Sequence, residues 1–82
     1  AMPLVIGIEG VIAAAMFKPG RSKGQWKLSL RSKKAAKIGH IARKHGGGGH
    51  DHAAGATLEG PLDELCASIV ADLEAAVGRP DS

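Results

Sequence analysis

The residues with chemistry to offer are gathered at two places in the chain. One is Ser29-Leu30-Arg31-Ser32, and the other is the run Gly46-Gly47-Gly48-Gly49 followed at once by His50. The planar fork of an arginine offers paired donors that match phosphate oxygens, and Ser29 and Ser32 flank Arg31 with hydroxyls. Consecutive glycines expose backbone N–H groups and reach positive φ, which are the requirements of a backbone anion nest. The run is therefore expected to form a turn in which Gly47, Gly48 and Gly49 point N–H groups at an anion. His50, just beyond the turn, is placed to donate to a phosphate oxygen or to stack on a base. The expected site is Ser29, Arg31, Ser32, Gly47, Gly48, Gly49 and His50, converging on one phosphate. The plainer readings are a surface arginine, a flexible turn and a histidine that merely braces it.

Other chemistries find less support. His45, His50, Asp51 and His52 are zinc- or nickel-ligating types, but they have no cysteine partner and no second ligand cluster, so no metal or other cofactor is expected in this chain. There is no Gly-x-x-x-x-Gly-Lys-Ser/Thr phosphate loop. The paired carboxylates of hydrolytic metal centres are not visible, and no catalytic residue is assigned. The one cysteine, Cys66, lies on an apolar helical stripe and reads as a small buried hydrophobe. The chain alone reads as an inactive binding module.

The elements that must position these residues are legible from periodicity. Leu4 to Ile8 reads as an edge strand or lead-in. Gly10 to Phe17 is almost wholly apolar, as in a strand covered on both sides or central in a sheet. Lys18 to Gly24 is a loop punctuated by Pro-Gly. Gln25 to Arg31 alternates, with Trp26, Leu28 and Leu30 on one face and Lys27, Ser29 and Arg31 on the other, so an antiparallel hairpin is expected. Ser32 stands where an N-cap belongs, ahead of a helix from Lys33 to His45 with small or apolar residues at 35, 38, 41 and 42. Gly46 is its C-cap glycine. Ala53 to Leu58 is a strand of small residues that lets another backbone come close. Pro61 opens a last helix whose stripe runs through Leu62, Leu65, Cys66, Ile69, Val70, Leu73, Ala76 and Val77, ended by Gly78 and Pro80. The expected fold is α/β of the α+β type, a small mixed β-sheet with two amphipathic helices on one face. Residues 1–9 form the lead-in strand, with Ala1 before Met2 reading as a cloning scar. Residues 10–78 are the domain and 79–82 a tail.

Composition narrows the partners. The chain has 82 residues, room for one small core, and a net charge of +3. That charge is segregated. From Gly10 to His50 there are ten Lys or Arg and no acid, while the rest holds eight acids and only Arg79 as a base. A +10 block favours an anionic partner such as phosphate or nucleic acid. A single cysteine forms no internal disulfide and fits a reducing compartment, and no apolar run reaches the 18 or so residues of a membrane helix. A cytoplasmic setting without a membrane partner is expected, and the oligomeric state is left open.

Leu28-Ser29-Leu30-Arg31-Ser32, a helix, then Gly-Gly-Gly-Gly-His-x-x-Ala-Ala-Gly and a short strand resemble the DHH-associated domain. This is the C-terminal, substrate-binding half of DHH-family phosphoesterases, which include RecJ-like exonucleases, nanoRNase/pAp phosphatases and cyclic-di-AMP phosphodiesterases. The resemblance spans about Gly10 to Val77, and the four glycines fit the nanoRNase/pAp phosphatase branch. It implies a metal-dependent parent enzyme whose N-terminal DHH domain carries two divalent metals, manganese as a rule, that activate a water against a phosphoester. The domain read here would hold a short oligonucleotide or pAp-like nucleotide across the cleft, with Arg31 on phosphate, Gly48 and Gly49 offering N–H groups, and His50 on phosphate or base. His50-Asp51-His52 is not the family's Asp-His-His motif, so the metal-bearing half is expected to be missing and the chain to be a fragment. The alternative is a tRNA- or RNA-binding module like the C-terminal domain of alanyl-tRNA synthetases, which usually lacks this glycine–histidine pattern.

Overall fold

The computed structural model describes residues 4–8 and 12–77. The strand start at Gly10, the helix stop at Gly78 and Pro80, the scar at Ala1 and the tail 79–82 lie outside these residues. The elements in order are β1 (Leu4–Ile8), β2 (Ala13–Pro19), β3 (Gln25–Ser32), α1 (Gly39–Lys44), β4 (Gly48–His50), β5 (Ala53–Glu59) and α2 (Leu62–Val77). The strands form one sheet in the order β1-β2-β3-β5-β4. Every pairing is antiparallel. The α+β architecture is as expected, but the sheet is not mixed: hairpin-type connections link all its neighbours except β3 and β5. Leu4–Ile8 is a full edge strand, paired with Ala13 to Phe17.

Both helices pack on one face of the sheet. Strand residues point alternately to its two sides, and Ala13, Ala15, Phe17, Leu28, Leu30, Ala54 and Leu58 share the buried side. Against them lie Ile38, Ile41 and Ala42 from α1 and its lead-in, and Ile69 and Leu73 from α2. Full burial of each larger side chain is worth about 1.5–3 kcal/mol, so this layer supplies most of the cohesion. On α2, Leu62, Leu65, Cys66, Ala76 and Val77 extend the stripe at its edges. Cys66 is half-buried, and desolvation, with Asp63 nearby, raises its thiol pKa, which disfavours the thiolate. The other side of β2 is not covered among the described residues: Ala14 and Met16 alternate with buried neighbours but stay half-exposed.

The segment after β3 departs from expectation. Ser32 is the last residue of β3, not an N-cap. Its N–H donates to the His52 carbonyl at 3.0 Å and its hydroxyl to the Asp51 carbonyl at 3.4 Å. Lys34 has φ 61°, a left-handed conformation that interrupts any helix. Ala36 and Ile38 are buried while Ala35 is exposed, and the Ile38 N–H donates to the Asp51 carbonyl at 2.7 Å. Tertiary hydrogen bonds to the turn at 51–52 have therefore replaced helical ones. The helix shrinks to six residues, capped by Ile38 without a side-chain bond. Its far end is as expected. Gly46, at φ 84°, donates to the Arg43 carbonyl at 3.0 Å and Gly47 to the Ala42 carbonyl at 2.7 Å, the double closure of a Schellman motif.

The glycine run is not a turn. Gly48–His50 is a strand laid on β5 and joined to it by the two-residue turn Asp51-His52. Close packing requires glycine at two of these positions, Gly47 and Gly49. A Cβ at Gly47 would run into the Gly55 carbonyl oxygen and Ala56, and one at Gly49, where φ is 142°, would stand 2.5 Å from the Ala54 Cα. At Gly48 a Cβ would meet nothing within 4 Å. Gly49→Ala is expected to lower stability by about 2–4 kcal/mol, combining overpacking with an unfavourable φ. Gly48→Ala should stay within about 0.5 kcal/mol, as at an unobstructed surface site. Urea denaturation of the two variants checks both values.

Candidate functional site

The face of the sheet that the described residues leave uncovered is where the expected site residues meet. Register sets them in rows across the strands. Ala14, Arg31, Ala53 and His50 form one row across β2, β3, β5 and β4. Met16, Ser29, Gly55 and Gly48 form the next, and Lys18, Lys27 and Thr57 a third. With strands 4.7–4.9 Å apart, Arg31 and His50 stand about 10 Å apart on the same face, and successive rows are about 6.8 Å apart. The two places singled out in the sequence thus converge, 19 residues apart in the chain but two strands apart in space.

Arg31 is exposed, and its Nη1 donates to the Leu30 carbonyl at 2.8 Å. That bond uses one of five donors, and no other bond of the fork is made among the described residues. Ser29 is half-buried in the next row. Ser32 is not part of the face in the way expected, since its hydroxyl braces the turn after His50. His50 is exposed, and its turn is held firmly. His52 Nε2 donates to the Lys34 carbonyl at 2.8 Å, alongside the backbone bonds from Ser32 and Ile38. The nest of successive glycine N–H groups does not form. The Gly46 and Gly47 N–H groups close the end of α1, and along a strand successive N–H groups point to opposite edges. What the glycines contribute instead is a surface without side chains: Gly46, Gly47 and Gly55 line an open depression of about 520 Å³ with Lys18, Lys27 and Thr57.

The histidines go to separate tasks. His45 Nε2 faces Asp72 Oδ2 at 3.5 Å, and Lys44 Nζ meets the other carboxylate oxygen at 2.8 Å. This contact ties the end of α1 to α2. His52 is bonded to Lys34, and only His50 stands on the open face. Among the described residues no three His, Cys, Asp or Glu gather as metal ligands. No helix among these residues is long and apolar enough to cross a membrane.

Sequence reasoning missed Lys18, Gly55 and Thr57 as parts of this face. Lys18 was assigned to the loop because Pro19-Gly20 follows it, yet β2 runs on to Pro19. Gly55 and Thr57 alternate with the buried Ala54 and Leu58, a signal that small residues blurred. Lys33 joins Arg31 and Ser32 around a second hollow of about 230 Å³ at the other end of the face.

A family model described as the DHHA1 domain matches residues 4–79. The chain belongs to that family. DHHA1 domains accompany DHH domains as the accessory half of DHH-family phosphoesterases, and the match takes in every strand and helix described above. A comparison with individually curated proteins finds no match. In this DHHA1 domain the strand carrying His50 is placed by the turn behind it and not by contacts of His50 itself. His52→Ala should therefore cost about 1 kcal/mol, the net worth of one hydrogen bond, whereas His50→Ala should change stability by less than about 0.5 kcal/mol. Chemical denaturation midpoints of the two variants test this separation.

Proposed function

We propose that this DHHA1 domain holds the phosphate and nucleotide of a substrate for a metal-dependent DHH-family phosphoesterase. In this reading the substrate is a short oligonucleotide or a pAp-like nucleotide, as in the nanoRNase/pAp phosphatase branch. The observation that carries it is the shared row of Arg31 and His50 on the open sheet face, beside Ser29 and Gly48. A guanidinium with free donors clamps phosphate, and an imidazole about 10 Å away is within reach of the attached sugar or base. The Gly48–Gly55 pair in the neighbouring row lets a ligand approach the backbone. In this reading a DHH half would supply the metals and the activated water. The domain alone binds and orients and does not hydrolyse.

A second reading, an RNA- or tRNA-binding module like the one ending alanyl-tRNA synthetases, draws on the exposed Lys33, Lys34 and Lys37 after β3. The two differ in how many phosphates they engage. Calorimetry with pAp should show Arg31→Ala losing about 1.5–3 kcal/mol of binding, the scale of a hydrogen bond to a charged group. Unchanged affinity would remove Arg31 from the site. With pApA the log–log salt slope should be about −1.4 for two contacts, against about −3.5 or steeper for an RNA module engaging five or more phosphates.

A further inference from the structure

We propose that Lys18, Lys27 and Thr57 form a second anion site on the open face, which receives a downstream phosphate of a single-stranded oligonucleotide whose terminal phosphate lies at Arg31. The proposal rests on the phosphate-binding reading above and extends it from one phosphate to a track. Lys18 and Lys27 are register partners on adjacent strands, and both are exposed. Opposed positions bring side chains within about 4.5–5.5 Å at Cβ, where like charges repel. Neither lysine makes an ion pair among the described residues. The register-related acid, Glu59, sits one row further on, opposite Gln25. An unfavourable pair of cations kept side by side, with no counter-ion among the described residues, is an arrangement that a bound anion relieves.

The surroundings fit a phosphodiester more closely than an acidic protein surface. The lysines line the depression of about 520 Å³ whose wall includes Gly47 and Gly55. At those glycines no side chain stands in the way of an approaching backbone. Thr57 adds a hydroxyl in the same row as Lys27. Ser29 borders this depression and also the hollow that contains Arg31, so the two positions are continuous along β3. From Arg31 to Lys27 is four residues of strand, about 13 Å. One phosphate group does not span that distance, while a chain with two or more phosphodiester links does. The track therefore favours a short oligonucleotide over a mononucleotide such as pAp.

The test is fluorescence anisotropy of the chain with 3′-labelled pApApA, with AMP as unlabelled competitor, for wild type, Lys18→Gln/Lys27→Gln and Arg31→Ala. The double variant is expected to bind pApApA about tenfold more weakly, the scale of one charge-assisted contact, with its salt slope shallower by about 0.7 for the one phosphate lost. Its competition by AMP should be unchanged. Its melting temperature should equal or exceed wild type, because a repulsive pair is removed. Arg31→Ala should weaken both ligands. If the double variant binds pApApA as wild type does while Arg31→Ala is weakened, the lysine site is overturned and the Arg31 reading stands; an acidic protein surface then becomes the occupant to pursue. If the lysines matter and Arg31 does not, the lysine site stands as an isolated anion site and the Arg31 reading falls. Loss of neither, or no binding at millimolar ligand, overturns both.

Discussion

The close approach of β4 to β5 is the constraint on which the candidate site depends. Two strands of glycine and alanine meet where a single Cβ at Gly47 or Gly49 would strike backbone. This contact carries His50 to the edge of the sheet and sets it in the row of Arg31. It also leaves the neighbouring Gly48–Gly55 row bare. The cost is entropic, because glycine loses more freedom on folding than any other residue. That cost is offset by bonds made on either side of the strand: the Schellman closure at Gly46 and Gly47, and the carbonyls of Asp51 and His52 held by the segment after β3.

The sheet then divides the labour between its faces. One face is sealed by Ile38, Ile41, Ile69 and Leu73 against Phe17, Leu28 and Leu30, and it supplies the stability. The other carries the cations and hydroxyls of β2, β3 and β5 and remains open. Because side chains alternate strictly along a strand, every residue that stabilises the core fixes a neighbour on the binding face. Leu28 and Leu30 buried means Lys27, Ser29 and Arg31 presented. Positioning of Arg31 is thus a direct product of core packing, whereas His50, on the exposed β4, is placed by the bonded turn at 51–52.

Much of this was legible in the sequence because alternation is a local signal. The faces of β3, the stripe of α2 and the C-cap at Gly46 all follow from neighbouring residues. The helix from Lys33 was not legible correctly. Its apparent period lost to hydrogen bonds from the 51–52 turn, which no local pattern reveals. The glycines were misread for a similar reason. Their need for space is set by Gly55 and Ala56, residues several positions away that meet them only after folding. The apolar run of β2 pointed to two-sided cover, yet Ala14 and Met16 are small or flexible enough to border an open face.

The central claim is that the open face, at the Arg31–His50 row, is where phosphate binds. The most direct measurement is a heteronuclear NMR titration of the chain with the dinucleotide pApA. The account predicts amide shifts at Ser29, Arg31, Gly48 and His50, with α2 and the core face silent. Shifts confined to the stretch from Lys33 to Lys44, with those four residues unmoved, would contradict it.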